Sequence, residues 1–276
     1  MKILESIADL RAYQKNLKTD LKVGFVPTMG ALHPGHASLI KTSKQQNAYT
    51  IVSIFVNPTQ FGANEDLNRY PRPFENDCKI CQDLGVDAVF APKAQEIYQN
   101  SDETTLYPPK QMAHVLEGAS RPGHFNGVLQ IVLKLFSLIQ PHNAYFGQKD
   151  AQQLLIIKRM VEDLFLPIKI IPCPTIRDKD TLALSSRNIY LSLEERQIAL
   201  EIPRSLQCIQ KLISQGETQT QTLIDEAKKN LQNVQLDYLE ITDYHLKKIS
   251  TIQPQNSLAL IAAKVGNTRL IDNLWI

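Results

Sequence analysis

Short β-branched runs alternate with amphipathic helical patterns over the first two thirds of the chain, and the pattern changes character after a proline-marked break. Together these predict an α/β fold: a Rossmann-like parallel sheet with helices on both faces, followed by a smaller α+β C-terminal domain. The expected division is 1–175 and 176–276, two units of ordinary domain size.

Each element has its own warrant. Residues 23–26, 50–56, 86–90, 144–146 and 168–171 are too short for helices and rich in Val, Ile or Phe, which predicts strands. Helical patterns at 35–46, 74–84, 126–139 and 150–164 separate them. The segment Pro172-Cys173-Pro174-Thr175, with the charged run Arg177-Asp178-Lys179-Asp180, interrupts this alternation and marks the domain boundary. Beyond it, Ser192 with Glu195 three residues later is a capping box that opens one long amphipathic helix, and 220–233 forms a second. The C-terminal runs 236–241, 257–265 and 268–271 read as strands, the last two joined by a turn at Gly266-Asn267.

Composition removes several function classes. Thirty Lys+Arg against 28 Asp+Glu give a net charge of +2, too balanced for a surface that binds nucleic acid or acidic membranes through its bulk charge. The most apolar window, 128–139, is short and broken by Gln130 and Lys134, so nothing is expected to span a bilayer. The start, MKILESIADLRAYQ, lacks the unbroken apolar core of a signal peptide, and a cytoplasmic location is expected. Cys78 and Cys81 have C-x-x-C spacing, but inside a helical pattern that spacing marks one helix face, and unreactive thiols are expected.

Three segments carry chemistry. The run PTMGALHPGH (27–36) leads a strand through a glycine-bearing turn into a helix, where backbone N–H groups and the helix dipole favour a phosphate. His33 and His36 stand three apart in the first turn, so both can face one anion. The spacing also suits two metal ligands, or two structural histidines. In FGQKD (146–150), Lys149 can reach a phosphate, while Asp150 can cap the next helix or help hold Mg²⁺ through water. In LALSSRN (182–188), Ser185, Ser186 and Arg187 suit a polyphosphate leaving group; the alternative is a polar linker with a helix cap. Gln60 and Gln153 offer both donor and acceptor for hydroxyl and carboxylate recognition.

The blocks PTMGALHPGH, FVNPTQFGANEDLNRYPR, EGASRPGHFNGV, FGQKDAQQ, LALSSRN and VGNTRLIDN, in this order over nearly the whole chain, resemble the pantothenate synthetase (pantoate–β-alanine ligase) family, in the nucleotidyl transferase superfamily with the H-x-G-H motif. The resemblance implies ATP-dependent condensation of (R)-pantoate with β-alanine through a pantoyl adenylate, with ATP as substrate, Mg²⁺, and a homodimer formed through the larger domain. It implies an ATP site at Met29, Gly30, Ala31, Leu32, His33, Pro34, Gly35, His36, Gly147, Gln148, Lys149, Asp150, Ile176, Leu184, Ser185, Ser186 and Arg187. His36 takes the place of the histidine described as proton donor, with His33 and Lys149 beside it. Gln60, Gln153, Asn57, Arg121 and His124 fall on the pantoate and β-alanine side. Pro34, Asn68 and Thr181 depart from the usual family wording, the last standing where Gly is frequent. The competing readings are a nucleotidyltransferase that keeps the nucleotide in its product and a nucleotide-binding protein without turnover.

Overall fold

The computed structural model describes residues 1–18, 20–62, 65, 67–100 and 102–276, so Ala63, Asn64 and Asp66 of the second sequence block lie outside the described residues. The first sheet has six parallel strands: β1 (Lys2–Leu4), β2 (Val23–Thr28), β3 (Tyr49–Ile54), β4 (Ala88–Phe90), β5 (Asn143–Gly147) and β6 (Lys169–Cys173). Their order is β1-β4-β3-β2-β5-β6. Strict alternation assigns the two faces. Phe25, Ile51, Phe90 and Phe146 point into one core, and their neighbours Val26, Val52, Val89 and Tyr145 point into the other. The first core is closed by α1 (Ile7–Gln14), α7 (His124–Ile139) and α8 (Ala151–Asp163), the second by α2 (Pro34–Gln46) and α3 (Phe74–Asp83). Three one-turn helices, α4 (Ala94–Ile97), α5 (Lys110–Ala113) and α6 (Glu117–Ser120), line the connection to α7.

The second sheet is antiparallel, β7 (Gln235–Thr242), β8 (Leu258–Val265) and β9 (Thr268–Trp275), packed on α9 (Leu193–Ala199), α10 (Glu201–Ser214) and α11 (Thr220–Lys228). Strand β8 is apolar on both sides. Ala259, Ile261 and Ala263 face these helices, while Leu258 and Leu260 join the core of the first sheet.

The expected architecture is present, with local differences, among them the second C-terminal helix, which ends at Lys228 instead of 233. Strand β1 and helix α1 precede the first expected strand. With three residues and one buried side chain, β1 gives no period to read, and α1 is announced only by Ser6 capping with Asp9. The Ser192–Glu195 capping box is formed, but the helix it opens stops at Ala199. Pro203 has no N–H to donate to the Ala199 carbonyl, so a new helix starts at Glu201. Strand β6 runs through Pro172 to Cys173, which an edge strand tolerates because one side of it needs no partner. Strand β9 continues past Ile271 to Trp275 because Asp272 and Asn273, polar but buried, have partners across the molecule.

A largely enclosed ion pair fastens α6 to the second sheet. Glu117 of α6 accepts from both terminal nitrogens of Arg269 on β9 (2.7 and 2.8 Å) and from the Tyr238 hydroxyl (2.8 Å). Arg269→Ala would leave the Glu117 carboxylate buried beside a lone hydroxyl, a loss of about 3 kcal/mol or more. A clear drop in the urea midpoint is the expected outcome. An unchanged midpoint would mean that the pair contributes nothing net.

Candidate active site

The chain turns one way from β2 to β3 and β4, and the other way from β5 to β6, so the order reverses between β2 and β5. Ligands of open parallel sheets bind outside the strand carboxyl ends at such a reversal. Here the turn after β2 and the turn after β5 flank one cleft of about 260 Å³. Its lining gathers Met29, His33, Gly35, His36, Asn57, Gln60, Arg121, His124, Gly147, Lys149, Asp150, Gln153, Ile176, Leu184, Ser185, Ser186 and Arg187. A second compartment of about 410 Å³ shares Arg121, His124, Lys149, Asp150, Gln153, Ser185 and Arg187 with it and extends to β9. Residues from distant segments of the sequence thus meet around one elongated space.

Gly30, Ala31, Leu32, Pro34 and Gln148 do not line the cleft. The turn after β2 was expected to present free N–H groups, and most of them are already in use. Gly30 N–H donates to Thr28 Oγ1, Ala31 and Leu32 N–H to the two carboxylate oxygens of Asp77, His33 N–H to His36 Nδ1, and Gly35 N–H to His33 Nδ1. Pro34 sits in the first turn of α2, where a missing N–H costs nothing. The Gln148 backbone is held by Cys173, Asn273 and Trp275.

The histidine pair has a defined protonation state. Both Nδ1 atoms accept backbone N–H, so each neutral ring carries its proton on Nε2. Burial, then the neighbouring His33, push the His36 pKa down to about 3, and burial and Lys149 push His33 down as well. At neutral pH the pair is therefore two uncharged N–H donors, their rings 4.1 Å apart. In this state the His36 Nε2–H is a hydrogen-bond donor.

The other polar groups are tied in chains. Asn57, 1% exposed, donates to the Gln60 side chain and the Gly127 carbonyl and accepts from Tyr98 and Thr59. Its side chain fastens the 57–60 turn to α7 instead of pointing a spare group at the cleft. Gly127 makes that approach possible: a Cβ there would overlap the Thr59 carbonyl oxygen. Gln60 keeps its amide N–H₂ towards Met29 Sδ (3.1 Å). Arg121 forms a two-pronged pair with Glu65 (2.7 and 2.6 Å) and donates to His124 Nε2. The other His124 nitrogen therefore carries the proton and donates to the Gln60 carbonyl. Burial and Arg121 lower the His124 pKa to about 4.

The backbone of Lys149 and the start of the loop that leads to Arg187 are held from the second sheet. Asn273 donates to the Gln148 and Lys149 carbonyls (2.9 and 2.7 Å), and Trp275 to the first of these. Asp272 grips Arg177 with both oxygens, and Arg177 in turn bonds the Thr181 carbonyl. Thr181 has φ +75°, the region a β-branched residue avoids, which is the physical reason glycine suits this position. From there the chain reaches Ser185, whose hydroxyl accepts the Arg187 N–H. Sequence reasoning missed Asp77, Asn273 and Trp275. Asn273 lies in the last matching block, whereas Asp77 lies in none.

Asp150 is the one carboxylate among the described lining residues of the first compartment, half exposed and 3.7 Å from Lys149 Nζ. It stands at the α8 N-cap without a capping side-chain bond. Among the described residues no group of three or more His, Cys, Asp or Glu could hold a metal alone. That donor set fits an ion held mainly by phosphate oxygens with one protein carboxylate, as for Mg²⁺. Elsewhere, burial pushes the Cys81 thiol up to about 12 and raises Cys78, the opposite of a reactive thiolate. Among the described residues no helix is long and apolar enough to cross a membrane.

The pantoate-beta-alanine ligase family model matches residues 2–275. The pantothenate synthetase of Helicobacter acinonychis is 55% identical over 278 residues, covering 100% of this chain and 100% of that protein. That of Wolinella succinogenes is 54% identical over 276 residues with the same coverage. The crystal structure of pantothenate synthetase from Thermus thermophilus superposes with a TM-score of 0.93 at 41% identity, covering 100% of this chain and 99% of that one. The pantoate-beta-alanine ligase from Francisella tularensis, complexed with beta-gamma ATP and beta-alanine, gives a TM-score of 0.82 at 38% identity, covering 100% and 97%.

Proposed function

Since the chain belongs to the pantoate-beta-alanine ligase family and is therefore a ligase that joins pantoate to β-alanine with ATP, we propose that this cleft carries the reaction in two steps. In the first, a pantoate carboxylate oxygen attacks the α-phosphorus of ATP and pyrophosphate leaves. In the second, the β-alanine amine attacks the acyl carbon of the pantoyl adenylate, AMP leaves with the bonding pair, and the nitrogen loses a proton to give the amide. A carboxylate is a poor acyl donor, and the mixed anhydride with AMP supplies the leaving group.

The observation that carries this reading is the convergence at the sheet reversal of two uncharged N–H donors, His33 and His36, with the cations Lys149 and Arg187. Such a set stabilises charge that develops on a departing pyrophosphate. Gln60 and Gln153 are assigned to pantoate, with Gln60 also bordering β-alanine. Arg121 and His124 are assigned to the pantoate and β-alanine side, and Asn57 is assigned the holding of Gln60. Met29 and Gly35 at the first turn, Gly147 and Asp150 at the second, and Ile176 with Leu184, Ser185 and Ser186 complete the ATP wall. Gly30, Ala31, Leu32, Pro34 and Gln148 belong to that wall through the turns they build. Mg²⁺ bound by the phosphates and Asp150 would neutralise triphosphate charge. The division at 175, a lid role for 176–276 that keeps the adenylate from water, a homodimer through the larger domain and a cytoplasmic location belong to the same proposal.

The test is an omission series. ATP, Mg²⁺, pantoate and β-alanine are mixed with the protein, and AMP is measured with each left out in turn. AMP formation that requires pantoate and is completed by β-alanine is expected. AMP formation indifferent to pantoate would overturn the reading, and a nucleotide retained in the product would favour a nucleotidyltransferase.

A further inference from the structure

We propose that Asp77 is a positioning residue for the adenylation step: its carboxylate takes the place of an anion in the turn after β2 and so fixes where His33 and His36 point. The inference rests on the two-step reading above. Asp77 projects from α3, is fully buried, and is outside every sequence block that carried the family resemblance. Its Oδ2 accepts the Ala31 N–H and its Oδ1 the Leu32 N–H, each at 2.8 Å, across 46 and 45 residues of sequence.

The turn it holds is costly by itself. Gly30 and Ala31 have φ of +80° and +50°, and the left-handed region is unfavourable for a non-glycine residue such as Ala31. Successive backbone N–H groups in a turn of this kind can point to one side and form a concavity that attracts anions. In a phosphate-binding loop that concavity would face the ligand. Here it faces α3 and is filled by the protein's own carboxylate, with no room to spare, since a Cβ at Gly30 would lie 2.9 Å from Asp77 Oδ2. The chain leaves Leu32, itself buried against the α2–α3 core, straight into His33, whose N–H donates to His36 Nδ1. Asp77 is thus tied through two backbone groups to the two rings. It does not reach the cleft, so its effect on chemistry runs through them.

Asp77→Asn keeps the shape but makes one oxygen an N–H₂ that must face an N–H, so at least one of the two bonds is lost. The two half-reactions are measured separately: pantoyl adenylate formation from ATP and pantoate, and amide formation from supplied pantoyl adenylate and β-alanine. Adenylation is expected to fall by about ten- to a hundredfold, the scale of a misplaced catalytic group, with amide formation less affected. Nitrogen-detected NMR of the two imidazoles provides the structural readout, in which the Nε2–H form seen in the parent gives way to mixed tautomers. Equal loss of both half-reactions, or parent-like adenylation with parent-like imidazole signals, would overturn the proposal. Should Asp77→Asn fail to fold, Gly30→Ala, which crowds the same oxygen while leaving Asp77 in place, is expected to give the same split, and parent-like adenylation in it counts against the idea. If the unaltered protein makes no pantoyl adenylate, the functional reading fails first, independently of Asp77.

Discussion

His36→Ala is expected to lower kcat by about 10²–10³-fold while changing ATP affinity by much less, the signature of a donor whose bond strengthens as charge develops. The backbone around it makes the effect specific. Nδ1 of His36 is occupied by the His33 N–H, so only Nε2–H can address the substrate, and alanine removes that one donor. Turnover close to the parent value would reject a catalytic role. The same residue sets an acid limit. The folded chain holds His36 neutral down to about pH 3, whereas the unfolded chain protonates it near 6.5. Below the unfolded value the unfolded state binds more protons, so stability falls as pH drops through that window and is fully present above it. In the alanine variant this part of the acid sensitivity should disappear, leaving what His33 and His124 contribute.

Lys149→Ala is expected to abolish most of adenylate formation, by about 10²-fold or more, and to spare amide formation from supplied pantoyl adenylate. Pyrophosphate leaves only in the first step, and a cation opposite it has nothing to stabilise in the second. The side chain is largely enclosed, and its nearest acidic group, Asp150, stands 3.7 Å away without neutralising it in a close pair. Equal loss in both half-reactions would remove the assignment to the leaving group. Measured with purified intermediate, the ratio of the two rates decides the matter whatever the absolute activity.

The parallel sheet was legible because its strands are apolar on both faces and its helices carry a 3.6-residue period, and the antiparallel end because a Gly-Asn turn separates two apolar runs. What escaped was one local break and otherwise what depends on long-range partners. The break at Leu200 follows from one proline four residues after Ala199, a local rule that the amphipathic pattern outweighed. The extension of β9 to Trp275 could not be read, because Asp272 and Asn273 look like an exposed loop until Arg177 and the Lys149 carbonyl come to meet them. Within the cleft, residue types at strand ends pointed to phosphate chemistry, and the matching blocks pointed to the substrate. The sequence could suggest that the first turn has N–H groups. It could not tell that Asp77, from a helix forty-odd residues on, already holds two of them.

The two-faced strand β8 has a consequence for where the molecule could be cut. The proposed division falls at residue 175, but Leu258 and Leu260 on one side of β8 complete the interior that α7 and α8 begin, while Ala259 and Ile261 complete the other. A protein divided there would present two raw oily surfaces in place of one wall, and neither half would own a finished interior. That strand is a shared partition between the two interiors, and β9 beside it grips the backbone of Lys149 from the C-terminal side.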